Sequence, residues 1–243
     1  MFILLVILVI FLLKNRSLRR STDVVVEKEI EKKENKKTRR SAIDYIVKIA
    51  IFSTIASLLY TVPFLQFKLP FFPAFLEFQF SNLPAILTGF ILGPFGGSLV
   101  IVIKTLVKLP MSHTGFVGEL ADLLIGISIV VSSSLVYKKH KTVKGGLIAL
   151  TVGTVVWVCA SLFANWAILI RWYGYLFGMD TIINMCKAVI PFIDKSNFMI
   201  VYLTCCCLPF NLIIAVATSI ITFITYKRIS KIFKKDFFRK WEY

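Results

Sequence analysis

Apolar runs from about Ser41 to Val62, Gly115 to Tyr137, Gly145 to Trp172 and Phe198 to Tyr226 are each long enough to cross a hydrocarbon core of about 30 Å. In lipid every backbone N–H and C=O must find its partner within the protein, so such runs fold as helices of a membrane bundle. The rest of the composition agrees. With 57% hydrophobic residues, 22 Phe and a mean hydropathy of +0.79, the chain is too apolar for a soluble single domain.

The formal charge of +16 raises nucleic acid as a partner, and the placement of the basic residues decides against it. Of the 29 Lys and Arg, eleven lie in residues 14–40, four in 138–144 and seven in 227–243. Basic clusters beside spans mark the cytoplasmic side of a lipid bilayer. No zinc-finger spacing or RNA-binding aromatic signature accompanies them, so no nucleic acid is expected. Cys159, Cys186, Cys205, Cys206 and Cys207 sit in or near apolar stretches without metal-ligand spacing toward His113 or His140. They read as small apolar residues.

Residues 1–13, MFILLVILVIFLL, would reach only about 20 Å as a helix. Basic residues follow rather than precede them, which reads as a short hydrophobic anchor and not a cleaved signal. Residues 14–41 mix acids and bases with little apolar surface, a charged cytoplasmic linker. Residues 42–226 form the membrane domain and residues 227–243 a basic cytoplasmic tail. Inside the domain, Leu83 to Leu92 is too short to cross alone. Gly93, Pro94, Gly96 and Gly97 then turn the chain before a second apolar stretch to Leu109. The expected fold is an all-α integral membrane protein, a six-transmembrane-helix bundle with an extra short N-terminal hydrophobic helix. Placing Ser41 inside puts the later basic clusters inside as well. The Phe-rich loop, the SHTG turn and a polar loop over 173–197 then converge on one external mouth.

Enzyme chemistry lacks its parts. GPFGGS has no phosphate-binding lysine, and neither histidine has a nucleophile partner at its own membrane depth. No catalytic residue, metal or cofactor is expected. Polar groups within spans are costly and should face the bundle interior. They are Lys104, Glu119, Asp122, Asn165 and Asn211, with Lys108 nearer a helix end. Glu119 and Asp122 share one helix face, where they either pair with Lys104 or Lys108 or meet a ligand. Asn165 and Asn211 each offer a donor and an acceptor, which suits an uncharged heterocycle with amide-like edges or a tie between helices. Leu76, Phe78 and Phe80 alternate with Glu77, Gln79 and Ser81, an extended segment with one apolar face. Its phenyl rings either stack on a flat ligand or anchor the loop at the interface.

The order PFFPAFLEFQFSNLPAILTGFILGPFGG, LVIVIKTLVKL, TGFVGELADLLIG, LFANWAILIRWYG and LPFNLIIAVATSIITFITYKR, over roughly residues 43–230, resembles the riboflavin-binding S component of the energy-coupling factor (ECF) vitamin transporters. The resemblance implies a six-helix plasma-membrane subunit that captures riboflavin at the outer face. It would dock on an ECF transmembrane coupling subunit driven by two ECF ATPases and release the vitamin inward, with riboflavin as transported ligand and not as cofactor. By motif position, Phe78, Phe80 and Asn82 match the loop that closes over the ligand. Asn165 matches an asparagine that bonds the flavin ring, and Asn211 is the asparagine of PFN. Thr114 and Gly115 lie at the corresponding external turn, with Glu119 just beyond as a further ligand candidate. Ala50 and Thr54 occupy the places of an AxxxA partner-docking motif on the first helix.

The chain also departs from that pattern. PFNLIIA stands where PFNLIKG is usual, so Ile214 replaces a lysine whose charge-assisted bond would contribute roughly 1.5–3 kcal/mol. Thr105 and Asp122 stand where Asn is usual, and Asn82 replaces an Asp. These departures keep open an S component for a different vitamin or flavin-related compound. A further alternative is a non-transporting structural membrane protein with a filled interior. A pocket of roughly 300 Å³ or more under the Phe-rich loop would count against it.

Overall fold

The computed structural model describes residues 38–112 and 114–233. The expected anchor at 1–13, the linker up to residue 37, His113 and the tail from residue 234 lie outside the described residues. The chain divides after Val47, within its first described helix, and the compact unit that holds the cavity begins at Lys48.

Among the described residues, five helices are long and apolar enough to cross a membrane: α1 (Thr38–Thr61), α3 (Pro94–Lys108, prolonged by a turn to Met111), α4 (Val117–Lys139), α5 (Val143–Phe177) and α7 (Phe198–Arg228). Between α1 and α3 comes α2 (Asn82–Leu92), apolar but only 11 residues long. A short amphipathic helix, α6 (Met179–Lys187), links α5 to α7. The region after α1 is a strap. Its strand β1 (Phe67–Lys68) pairs antiparallel with β2 (Glu77–Phe78), Phe67 opposite Phe78 and Lys68 opposite Glu77.

The short pair α2 and α3 follows from its punctuation. Gly93 has φ +87°, a conformation that glycine enters without penalty, and Pro94 opens α3 where its missing N–H is no loss. The two helices then touch backbone to backbone. A Cβ at Gly97 would stand 2.7 Å from the Ala85 carbonyl and 2.9 Å from the Gly89 Cα, so any side chain there would force them apart. Helix α2 is interior, with Asn82 and Pro84 through Phe90 buried. Helix α1 is peripheral: 17% of its apolar window is buried, against 33–39% in the other spans. Its exposed Ile51, Ile55 and Leu58 suit a lipid-facing surface.

Loop 173–197 differs from expectation. Helix α5 runs on to Phe177, and Ile182, Ile183 and Cys186 bury one face of α6 against the bundle. Spacing of one and four residues along a helix puts these three on a common face, a pattern masked in sequence by the polar residues between them.

Helix α4 packs on α2, α3 and α5, while α7 packs on α2 and α5. Two π turns interrupt this bundle, Asn165–Leu169 in α5 and Tyr202–Cys207 in α7. One end of the bundle is closed by aromatic packing. Phe90 stacks on Tyr137 at 4.5 Å, and the Tyr137 and Tyr226 hydroxyls bond each other. The other end holds the cavity.

Candidate ligand-binding site

Segments distant in sequence meet around one cavity of about 150 Å³. The strap contributes Gln66, Phe75, Leu76, Glu77 and Gln79; α1 contributes Tyr60; and α4 with the turn before it contributes Thr114, Glu119 and Asp122. From α5 come Trp157, Asn165, Leu169 and Tyr173, and from α7 Tyr202, Phe210, Asn211 and Ile214. Asn82 and Lys108 complete the wall toward α2 and α3.

The wall formed by α2, α3 and α4 is built on charge. Lys104 is fully buried, and its ammonium group lies 2.7 Å from Asp122 Oδ2, 2.7 Å from Asn82 Oδ1 and 2.7 Å from Ser81 Oγ. Two hydrogen bonds and one ion pair hold the cation. Asn82 Nδ2 in turn donates to Asp122 Oδ1 at 3.3 Å, and the Tyr60 ring covers Lys104 Nζ at 4.8 Å. Burying an isolated charge would be prohibitive; this pairing makes it tolerable.

Glu119 takes neutral partners. Its Oε2 accepts from Thr114 Oγ1 at 2.8 Å and from Ser112 Oγ at 2.9 Å. Both hydroxyls also accept backbone N–H groups at the start of α4, Gly118 N–H on Thr114 and Phe116 N–H on Ser112, each at 3.1 Å. The turn is tight. Gly115 and Phe116 both adopt left-handed φ, and a Cβ at Gly115 would lie 2.6 Å from Leu176 Cδ1. Lys108 lines the cavity with its ammonium 5.4 Å from the Tyr60 ring.

The wall formed by α5 and α7 is neutral and repeats one motif. Asn165 Nδ2 donates to the Ser161 carbonyl one turn back at 2.8 Å, and its Oδ1 accepts from Tyr202 O–H at 2.9 Å. Asn211 Nδ2 donates to the Cys207 carbonyl one turn back at 2.9 Å, and its Oδ1 accepts from Trp157 Nε1 at 3.0 Å. Each amide is thus clamped between its own helix and an aromatic donor from the other. Each keeps one lone pair for the cavity, and Asn165 keeps one N–H as well, whereas Asn211 Nδ2 also donates to Cys207 Sγ at 3.5 Å. Asn165 opens one π turn and Tyr202 opens the other, the kind of helix irregularity that recurs at functional sites. Behind this wall the Cys186 thiol is pushed up from its ordinary pKa by its hydrogen bond with Cys206 and by burial.

Of the ligand candidates named from sequence, Asn82, Thr114, Glu119, Asn165 and Asn211 line the cavity, whereas Phe78, Phe80 and Gly115 do not. Phe78 packs edge-on against Phe80 at 5.3 Å and against Phe210 at 6.4 Å, anchoring the strap to α7 rather than facing the cavity. Gly115 shapes the turn. Ala50 and Thr54 are exposed on α1, and Thr54 Oγ1 donates back to the Ala50 carbonyl at 2.8 Å. Of the two alternatives left open for Asp122 and Glu119, pairing with a lysine or meeting a ligand, Asp122 pairs with Lys104, while Glu119 takes hydroxyl partners. Tyr60, Gln66, Gln79, Trp157, Tyr173 and Tyr202 line the cavity without having been singled out as ligand candidates. The cavity is also smaller than 300 Å³, so its volume leaves the filled-interior alternative standing. Membership of a transporter family counts against it.

The model of the ECF transporter substrate-specific component matches residues 44–226. The chain belongs to this family. It is therefore a component of a transporter and not an enzyme, and it is integral to the membrane. The riboflavin transporter RibU of Staphylococcus aureus (strain TCH60) is 28% identical over 190 residues, 78% of this chain and 92% of that protein. The riboflavin transporter FmnP of Bacillus subtilis (strain 168) is 26% identical over 133 residues, 54% of this chain and 70% of that protein. Among solved structures, the S component of a bacterial ECF transporter superposes with a TM-score of 0.57 at 26% identity, covering 79% of this chain and 99% of that one. The fold of this ECF component and the S-component fold are thus the same.

Proposed function

We propose that this chain is a riboflavin-binding S component. It captures the vitamin at the outer face and delivers it inward together with an ECF transmembrane coupling subunit and two ECF ATPases. The observation that carries the reading is the pair of clamped amides, Asn165 and Asn211, presented to one cavity among Tyr173, Tyr202, Trp157 and Phe210. A flavin ring is flat, uncharged and edged with alternating donors and acceptors. Aromatic walls and fixed amides match it. The names of the two relatives point to the same ligand.

Counting α2 with the five longer spans gives a six-helix bundle. The basic linker and tail lie in the cytoplasm, which puts the cavity at the external end. Ala50 and Thr54, small and exposed on peripheral α1, leave room for a partner helix to approach. Because a ligand of this size needs roughly 300 Å³ or more, the strap over residues 66–79 shifts outward as riboflavin enters.

A second reading rests on one residue. Ile214 is 4% exposed and lines the cavity where a lysine would be usual, which favours an S component for a different vitamin or flavin-related compound. Titration of riboflavin fluorescence with the purified protein separates the two. Quenching at micromolar protein, weakened at least tenfold by Asn165→Leu, supports riboflavin; wild-type protein that leaves the fluorescence unchanged refutes it.

A further inference from the structure

Five side-chain amides face the cavity: Gln66, Gln79, Asn82, Asn165 and Asn211. Four of them are engaged within the protein. Gln66 donates to the Tyr60 carbonyl, Asn82 bridges Lys104 and Asp122, and Asn165 and Asn211 sit in their aromatic clamps. Gln79 differs, because its Oε1 is buried and has no hydrogen-bond partner.

Local structure explains why this atom points inward. Side chains alternate along an extended strand, so residues two apart share a face. Phe78 and Phe80 pack on each other, and Phe78 packs on Phe210, which pins the strap on either side of Gln79. Glu77 and Gln79 therefore turn to the cavity together. Glu77 has Lys68 as a partner at 3.8 Å. Gln79 Oε1 has none, and a buried carbonyl left without a donor is a cost that folding alone does not recover.

We infer that Gln79 is a specificity-determining residue of the ligand site: its side-chain carbonyl accepts a hydrogen bond from an imide N–H or a hydroxyl of the bound molecule. A carboxylate or phosphate at that position would set two acceptors against each other, so the carbonyl selects a neutral heterocycle or polyol end. This inference rests on the riboflavin reading of the same cavity and adds a contact that carries information about the ligand. It also gives the two strap phenylalanines a task, which is to aim the residue between them.

The test is Gln79→Leu in the full chain, read by riboflavin fluorescence quenching and by thermal unfolding without ligand. Leucine keeps much of the side-chain volume and removes the unpaired carbonyl. The ligand-free protein should then unfold at the same temperature or a higher one, while riboflavin binds about three- to tenfold more weakly. Movement in opposite directions is a signature that a merely structural residue does not produce. Unaltered affinity in the variant, or a lower unfolding temperature without ligand, overturns the inference. Wild-type protein that fails to bind riboflavin overturns the riboflavin reading itself, a result visible before any variant is made.

Discussion

The two walls of the cavity handle polar groups in lipid differently. Toward α2, α3 and α4, the groups include charges neutralised within the protein, with Lys104 bonded to Ser81 and Asn82 and ion-paired with Asp122. Toward α5 and α7, they are amides that spend part of their capacity on Tyr202, Trp157 and their own helices. A closed network fixes geometry and has nothing left to give. A partly used amide is fixed in orientation and still open to a ligand. The contrast assigns shape to the first wall and recognition to the second.

Removing one member of the charged network should therefore produce the largest effect. Asp122→Leu leaves Lys104 buried beside neutral partners only, and breaking a buried ion pair from one side costs about 3–5 kcal/mol. Thermal unfolding in detergent should show that loss. Lys104→Met combined with Asp122→Leu should recover most of it, because no charge then remains unpaired. A single variant as stable as the wild type would break the comparison at its root.

On the neutral wall the same operation should cost little stability and much recognition. Hydrogen bonds between membrane helices average about 0.6 kcal/mol and reach about 1.7, so Tyr202→Phe should barely move the unfolding temperature. Its effect belongs in binding, since Asn165 loses the donor that fixes its carbonyl. Riboflavin affinity should fall about three- to tenfold, less than for Asn165→Leu. Trp157→Phe should act in the same way through Asn211. Equal loss of stability on both walls would show that the amide clamps are ties between helices and no more.

Much of this division is legible in the sequence, and its failures have physical causes. Gly93, Pro94 and the short run before them announce α2 and α3, because backbone chemistry is local. Lys104, Asp122, Asn165 and Asn211 announce themselves because a polar group in an apolar helix demands a partner or a ligand. Tyr202 and Trp157 do not, since amphipathic aromatics in a span read equally well as interfacial anchors. Gln79 hides for another reason. In a strand, period-two alternation separates two faces without saying which is inside, and the phenyl face went to the strap's own anchorage on Phe210. Residues 173–197 look like a loop because half of an amphipathic surface helix is polar.

Glu119 lies on the border between the two walls and offers the smallest effect. Its carboxylate is 2% exposed and held by two hydroxyls instead of a cation, so it resembles the amides in being neutral-partnered and the ion pair in being charged. Thr114→Val removes one hydroxyl together with the acceptor for Gly118 N–H, while Ser112 still holds the carboxylate. If Glu119 serves the turn, stability should drop by about 1 kcal/mol with riboflavin affinity within twofold of wild type. If Glu119 serves the ligand, the freed carboxylate reorients and affinity changes while stability holds. The turn is the expected outcome. Both hydroxyls already couple Glu119 to the first backbone N–H groups of α4, a geometry that closes the helix end without any ligand.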